Sequence, residues 1–500
     1  MTTFGYDADS NLTTETFPAA STVVDTFTFN ATDQMTNVAS VKGGSTTLFS
    51  AGYSRDSANQ LSSDSSAASG TGSYKYTPLN QVCYAGSSNS NACSSPPSGS
   101  IAYAYDAADN LTQKGSTQQA FNNADELCWT AATSGACGSP PSGATTYQFD
   151  TRGNRTTVTP SGGQAQALTY DQANRLTKYA AASTTSYGYN GDGLRMCKYA
   201  GSSTQPCSAM GTTEYLWDVA GALPLLLKDG STAYVYGPGG LPLEQVNSSA
   251  TYWFHHDQIG STRLVTDSTG STSATYTFDP YGGLASSTGS ITNPFRFQGQ
   301  YQDAETGWYY LRLRYFDSNT GQFLSADALT SLTRLPYAYV VGNPLNRTDP
   351  TGLCWPSWAC GFENKVGGAI SSATSAVATA GSDAVQWAKD NQDTIGTVAT
   401  VLAIVGVACG LGIITAETSC LIVGIAALGL GAVQMGIDAS EGNWTMFGID
   451  AFGEVTGLGG LRAAAGGAKA VFWALSGLCD ARASWQASHP PQHRRPGRYA

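Results

Sequence analysis

The chain has 500 residues, too many for one ordinary core, so several domains or a repeat array are expected. Only 12% of residues are charged and the net charge is −11, which argues against nucleic-acid binding by the body of the protein, because phosphate contacts need clustered Lys and Arg. With 57 Gly and 26 Tyr, the composition suits an extended β-rich repeat better than a helical enzyme.

The first residues, Met1–Asp7, are neither basic nor apolar, so they do not read as a secretory signal. They begin inside a repeat unit, which reads as a fragment of a longer gene product or an internal start. The unit is an aromatic residue, usually Asp next, a small polar turn, then Asn or Arg before an apolar residue. Tyr6–Leu12, Tyr105–Leu111, Phe149–Arg155, Tyr170–Leu176 and Tyr189–Arg195 carry it, and Phe29 and Tyr53 open weaker copies. Where copies are adjacent the period is roughly twenty residues, the mark of an array. Asp, Asn and Gly tolerate left-handed backbone and bond their own main chain, so they build the turn. The flanks alternate polar and apolar, as in Ala165–Tyr170, and read as strands. A hairpin this small cannot bury its own face, and stacking neighbours into one sheet solves that.

Six cysteines fall in three close pairs across residues 1–211: Cys83 with Cys93, Cys128 with Cys137, and Cys197 with Cys207. Each pair brackets a Ser/Gly/Pro-rich loop. Zinc sites favour two-residue spacings or nearby His, and these pairs have neither. Local disulfides are expected, which implies an oxidising location. Over residues 212–292 the repeats are expected to give way to longer strands, among them Tyr252–His256 and Thr262–Thr266. His255, His256 and Asp257 do not read as a metal centre, because successive strand residues point to opposite faces. No metal and no cofactor is expected.

Residues 293–353 carry the most specific stretch. It runs from Asn293 through Tyr309–Asp317 and closes on Asn343–Leu353. This segment resembles the core segment that ends the shell of Rhs/YD-repeat proteins of the bacterial polymorphic-toxin type, and the upstream units resemble the YD repeat. The resemblance implies a mainly β fold, a hairpin array spiralling into a shell, followed by a smaller α-helical C-terminal region. It also implies an aspartyl-type self-cleavage. Matching the family motif position by position assigns Arg314, Asp327 and Asp349 as catalytic and places the cut between Leu353 and Cys354. Asp327 is followed by Ala328, and Asp317 by Ser318, where the family has Pro. On chemical grounds, paired carboxylates share a proton, one activates water and the other donates, and a guanidinium holds a carboxylate or the oxyanion. At most this is a single-turnover autoprotease.

Beyond Leu353 the composition changes. Residues 354–450 read as an apolar helical segment, with uncharged blocks at 395–416 and 418–437 separated by Glu417. Each block is long enough to cross a bilayer. Contact with a target membrane through 395–437 and burial as a soluble helical pair remain open alternatives. Residues 451–500 end in a basic, Pro-rich tail that reads as partly disordered, and no toxin catalytic centre is recognisable there.

The leading expectation is a secreted or cell-surface shell that encloses its own C-terminal segment and releases it against neighbouring cells. By resemblance, its partners would be an export apparatus and an immunity protein. The alternatives are a non-enzymatic teneurin-like surface protein for adhesion or carbohydrate binding, and a truncated remnant of a toxin gene.

Overall fold

The computed structural model describes residues 1–353 apart from 19, 67–69, 202–206, 208–211 and 222. The expected helical segment 354–450, the blocks within 395–437, the tail 451–500 and Cys354 lie outside the described residues. Among the described residues, no helix is long and apolar enough to cross a membrane.

One antiparallel sheet of 26 strands runs from Thr3–Tyr6 to Leu284–Thr288. Each strand pairs with the next in sequence, as in Thr145–Phe149 with Arg155–Thr159 and Gln166–Tyr170 with Leu176–Ala180. A separate four-stranded sheet of very short strands, Tyr301–Gln302, Tyr309–Leu311, Arg314–Asp317 and Gln322–Phe323, forms in the core segment.

The turns explain the regularity. The Asp171 Oδ1 accepts the N–H groups of Ala173 and Arg175 at 2.9 and 3.0 Å, and Asn174 adopts φ +59°. Asp7, Asp56, Asp106 and Asp150 build the same loop. So do Asp257, Asp267 and Asp279 further along. A side chain from one turn then reaches the next turn along the array. Asn11 donates to Asp33, Gln60 to Asn80, Gln81 to Asp109, Asn110 to Asp125, and Asn154 to Asn174, all within 3.0 Å. These bonds join units that have little apolar surface of their own.

The strands of 212–292 are not longer than those before: they span 5–7 residues, whereas Thr46–Arg55 reaches ten. The same Asp turn continues through this stretch, so strand length is still set by turn spacing. The cysteine pairs are joined in the structure, with Cα–Cα distances of 5.6, 5.4 and 5.5 Å.

The core lies where the core segment meets the sheet. Phe297, Tyr309, Leu311, Phe316, Phe323 and Tyr339 pack with Val38, Phe49, Leu61, Val82, Leu111 and Leu264. Each such side chain contributes about 1.5–3 kcal/mol on burial. Strands Thr251–His256 and Thr262–Asp267 are buried on both faces. Phe254 meets the core-segment side with Phe295 and Tyr301, while Trp253 and His255 meet Phe17 from the chain's beginning. His255 Nδ1 bonds the Asp25 carboxylate at 2.8 Å, and its Nε2 faces the Thr266 hydroxyl at 3.0 Å. The early strands are thereby clasped to the late ones. Among the described residues, each outermost strand of the large sheet pairs on one side only.

Candidate active site

Three charged residues assigned from the motif meet in the core segment. Arg314 opens the strand Arg314–Asp317, which pairs with Tyr309–Leu311 on one side and Gln322–Phe323 on the other. Its side chain is 5% exposed and its guanidinium lies over the Phe323 ring, 3.6 Å from the centroid. Nη2 of Arg314 donates to Asp327 Oδ2 at 3.0 Å and faces Asp349 Oδ2 at 3.7 Å. Arg314 Nη1 donates to the Pro336 carbonyl, and Nε donates to the Gly352 carbonyl. Burial pushes the guanidinium pKa below its ordinary value, and Asp327 and Asp349 beside it oppose that shift.

Each carboxylate has its other oxygen committed to backbone. Asp349 Oδ1 accepts from Gly352 N–H at 2.7 Å and Leu353 N–H at 3.0 Å, folding residues 349–353 into a tight turn. Asp327 Oδ1 accepts from Leu329 N–H at 2.7 Å, and its carbonyl accepts from Thr330 N–H at 3.0 Å. These bonds set the loop that carries Ala328 without a proline. Gly352 sits at φ +78°, and a Cβ there would come 3.0 Å from the Arg314 nitrogen and the Leu311 oxygen. Only glycine allows the turn to lie this close.

The arrangement refines the expected dyad. The carboxylates of Asp327 and Asp349 meet across a guanidinium, so one positive charge offsets their mutual repulsion. Leu353 is part of the Asp349 turn, one residue beyond the carbonyl that Arg314 grips.

Arg312 was invisible to the motif argument. It adopts φ +64°, and its guanidinium donates to the carbonyls of Pro350, at 2.5 Å, and Pro224, at 2.8 Å. A non-glycine residue in this region costs strain, which marks a functional or packing constraint. His255 and His256 do not converge on one point: His255 is spent on Asp25 and Thr266. Burial pushes the pKa of His256 down to about 3, so it stays neutral. Its Nε2 finds no hydrogen-bond partner among the described residues.

Residues 228–341 match the family model described as Teneurin YD-shell. The match covers the late strands of the sheet and most of the core segment. Over this stretch the chain is similar to Rhs/YD-repeat shells. The proteins it matches include toxins. It is 30% identical over 210 residues to the tRNA3(Ser)-specific nuclease WapA of Bacillus spizizenii, covering 40% of this chain and 8% of that one. It is 36% identical over 105 residues to toxin protein Tse5 of Pseudomonas aeruginosa, covering 21% of this chain and 8% of that one. Among solved structures, the TcdB2–TccC3–TEV crystal structure superposes with a TM-score of 0.54 at 20% identity, over 71% of this chain and 19% of that chain. This likeness is one of fold. The YD-repeat chain thus spans a small fraction of the length of each protein it matches.

Proposed function

We propose that this YD-repeat protein is a toxin-delivery shell that cuts its own backbone between Leu353 and Cys354 and so frees its C-terminal segment for use against neighbouring cells. The observation that carries the reading is the convergence of Arg314, Asp327 and Asp349 on the Asp349–Leu353 turn. In the reaction a water adds to the Leu353 carbonyl carbon while one carboxylate takes its proton. The other carboxyl donates a proton to the departing Cys354 nitrogen. The products are a Leu353 carboxylate and a Cys354 amine. Arg314 holds the preceding carbonyl in place and offsets the charge of the dyad. The substrate is the chain itself, so effective concentration is high and one turnover suffices. The toxin relatives support the cargo half of the reading, and the disulfides support an oxidising, secreted or surface location.

Intact-mass measurement tests it. Wild type should give a shell ending at Leu353, and Asp327→Asn and Asp349→Asn should each slow its appearance by at least about 10²-fold. A wild-type chain that stays full length would refute the cleavage and move the teneurin-like adhesion reading, to which the family match lends support, into the lead.

A further inference from the structure

One repeat turn grips the loop that carries Asp327. In the turn Asp150–Arg155, the Arg155 N–H donates to the Leu324 carbonyl at 2.8 Å. Asn154 forms a β-bridge with Ser325. The Gly153 carbonyl accepts from Ala326 N–H at 3.2 Å and from the Tyr337 hydroxyl at 2.9 Å. Three consecutive residues of the turn therefore hold the three residues that precede Asp327. The next anchor is on the far side, where Asp327 N–H donates to the Pro336 carbonyl at 2.8 Å.

The same turn reaches Arg314 by a second route. Arg155 Nη1 pairs with Asp317 Oδ2 at 2.9 Å, with side chains 0% and 7% exposed. Asp317 ends the four-residue strand that Arg314 begins. A shift of this strand would displace the guanidinium from both carboxylates. Gly153 makes the approach possible: at φ +77°, a Cβ there would lie 2.7 Å from the Tyr337 hydroxyl and 3.0 Å from the Ala326 Cβ.

Stacking the array does not ask for this arginine. At the equivalent position, six residues after the aromatic, other copies carry Leu12, Leu111 and Leu176, and the copy opened by Tyr189 carries Arg195, which also pairs with a core-segment aspartate. An apolar residue there serves the sheet.

We infer that Arg155 is a positioning residue for self-cleavage, and that the site is completed only when this repeat turn closes on the core segment. The inference rests on the cleavage reading above. It makes the cut conditional on shell assembly, so cargo is not severed from a chain whose container has not formed.

The test is oxidising cell-free synthesis of the full chain, following by intact mass the single-turnover appearance of the shell ending at Leu353. Limited proteolysis in parallel gives the folded fraction. In folded protein, Arg155→Met should slow the cut roughly a hundredfold, as misplacement of a reacting group by about 1 Å does. Arg155→Lys, which restores the charge, should recover most of the rate. Arg263→Met breaks another buried arginine–aspartate pair, to Asp257, and should cut at the wild-type rate once folded. If Arg155→Met does not fold, Asp317→Asn keeps the shape, removes the charge, and should show the same slowing. Wild-type cleavage with Arg155→Met or Asp317→Asn at an unchanged rate overturns the inference. So does equal slowing by Arg263→Met, which would reduce Arg155 to a general stabiliser. An uncut wild type would instead overturn the cleavage reading itself, and this inference with it.

Discussion

The repeat sheet and the core segment are built on opposite principles. The sheet repeats one inexpensive device, an Asp- or Asn-closed turn with a left-handed residue three positions on, and spreads its stability over many equivalent small bonds. The core segment has strands of two to four residues and non-glycine residues at positive φ, including Gln298, Arg312, Val340 and Val341. For β-branched valines this is a true backbone outlier. Its charges are buried, and their partners come largely from the sheet. A region of this kind holds its geometry only inside a scaffold that over-determines it. The scaffold tolerates local damage, whereas the site does not.

The sharpest way to break this contrast is Arg195. Its guanidinium bonds Asp303 Oδ2 at 2.5 Å and the Tyr315 hydroxyl at 2.8 Å, ringed by Tyr187, Tyr215, Tyr301 and Tyr310. Burial disfavours its charge, but Asp303 and the tyrosines outweigh this and hold its pKa above the ordinary value. Arg195→Met leaves the buried Asp303 carboxylate with Lys198, at 3.3 Å, as its remaining partner and should cost about 3 kcal/mol in urea unfolding. A loss under about 1 kcal/mol would mean that the core segment does not depend on sheet charges.

A second prediction concerns the clasp between early and late strands. Burial first, and Asp25 second, push the Glu15 carboxyl up to about 8 from its ordinary 4.5. The folded chain therefore binds this proton more tightly than the unfolded one. Its contribution to stability is complete below about 4.5 and is lost as pH rises through about 8. Glu15→Gln should match wild type at pH 4 and exceed it by on the order of 1–3 kcal/mol at pH 8. Parallel pH profiles for the two proteins would show that Glu15 is ionised and solvated in the fold. His256 acts in the other direction: it stays neutral in the fold, so its contribution is lost as pH falls from about 6.5 towards about 3.

The smallest effect is expected within the array. Asp171→Ala removes two backbone acceptor contacts and the pair to Arg175 in one half-exposed turn. It should cost about 1 kcal/mol, with cleavage unaffected. A loss as large as that of Arg195→Met would show that single turns, too, are indispensable.

Much of this contrast was legible beforehand, and its gaps have physical causes. The copies at Asp7, Asp106, Asp150 and Asp171 are visible because aromatic and Asp stand together. The turns at Thr77 and Asn122 escape that pattern, although both accept the same two N–H groups. What the turn requires is a short side-chain oxygen followed three residues later by left-handed backbone, supplied here by Asn80 and Asp125. Both turns keep the aromatic, Tyr76 and Phe121, and put Thr or Asn in place of the Asp. Arg314, Asp327 and Asp349 were found by motif, but nothing local to Arg155 or Arg312 marks them, because their partners lie far along the chain or on backbone carbonyls.

Local chemistry in the sequence thus determined the hairpin, its turn and its tendency to stack, since each depends on residues within about twenty positions of one another. It also determined which cysteines lie close enough to pair. Tertiary structure alone decided that the two carboxylates meet across a guanidinium and that a repeat turn holds the loop of Asp327. It also decided that strands near residue 255 are buried on both faces. Those arrangements depend on packing between segments distant in sequence, where a charge can be buried only if its partner arrives from elsewhere in the fold.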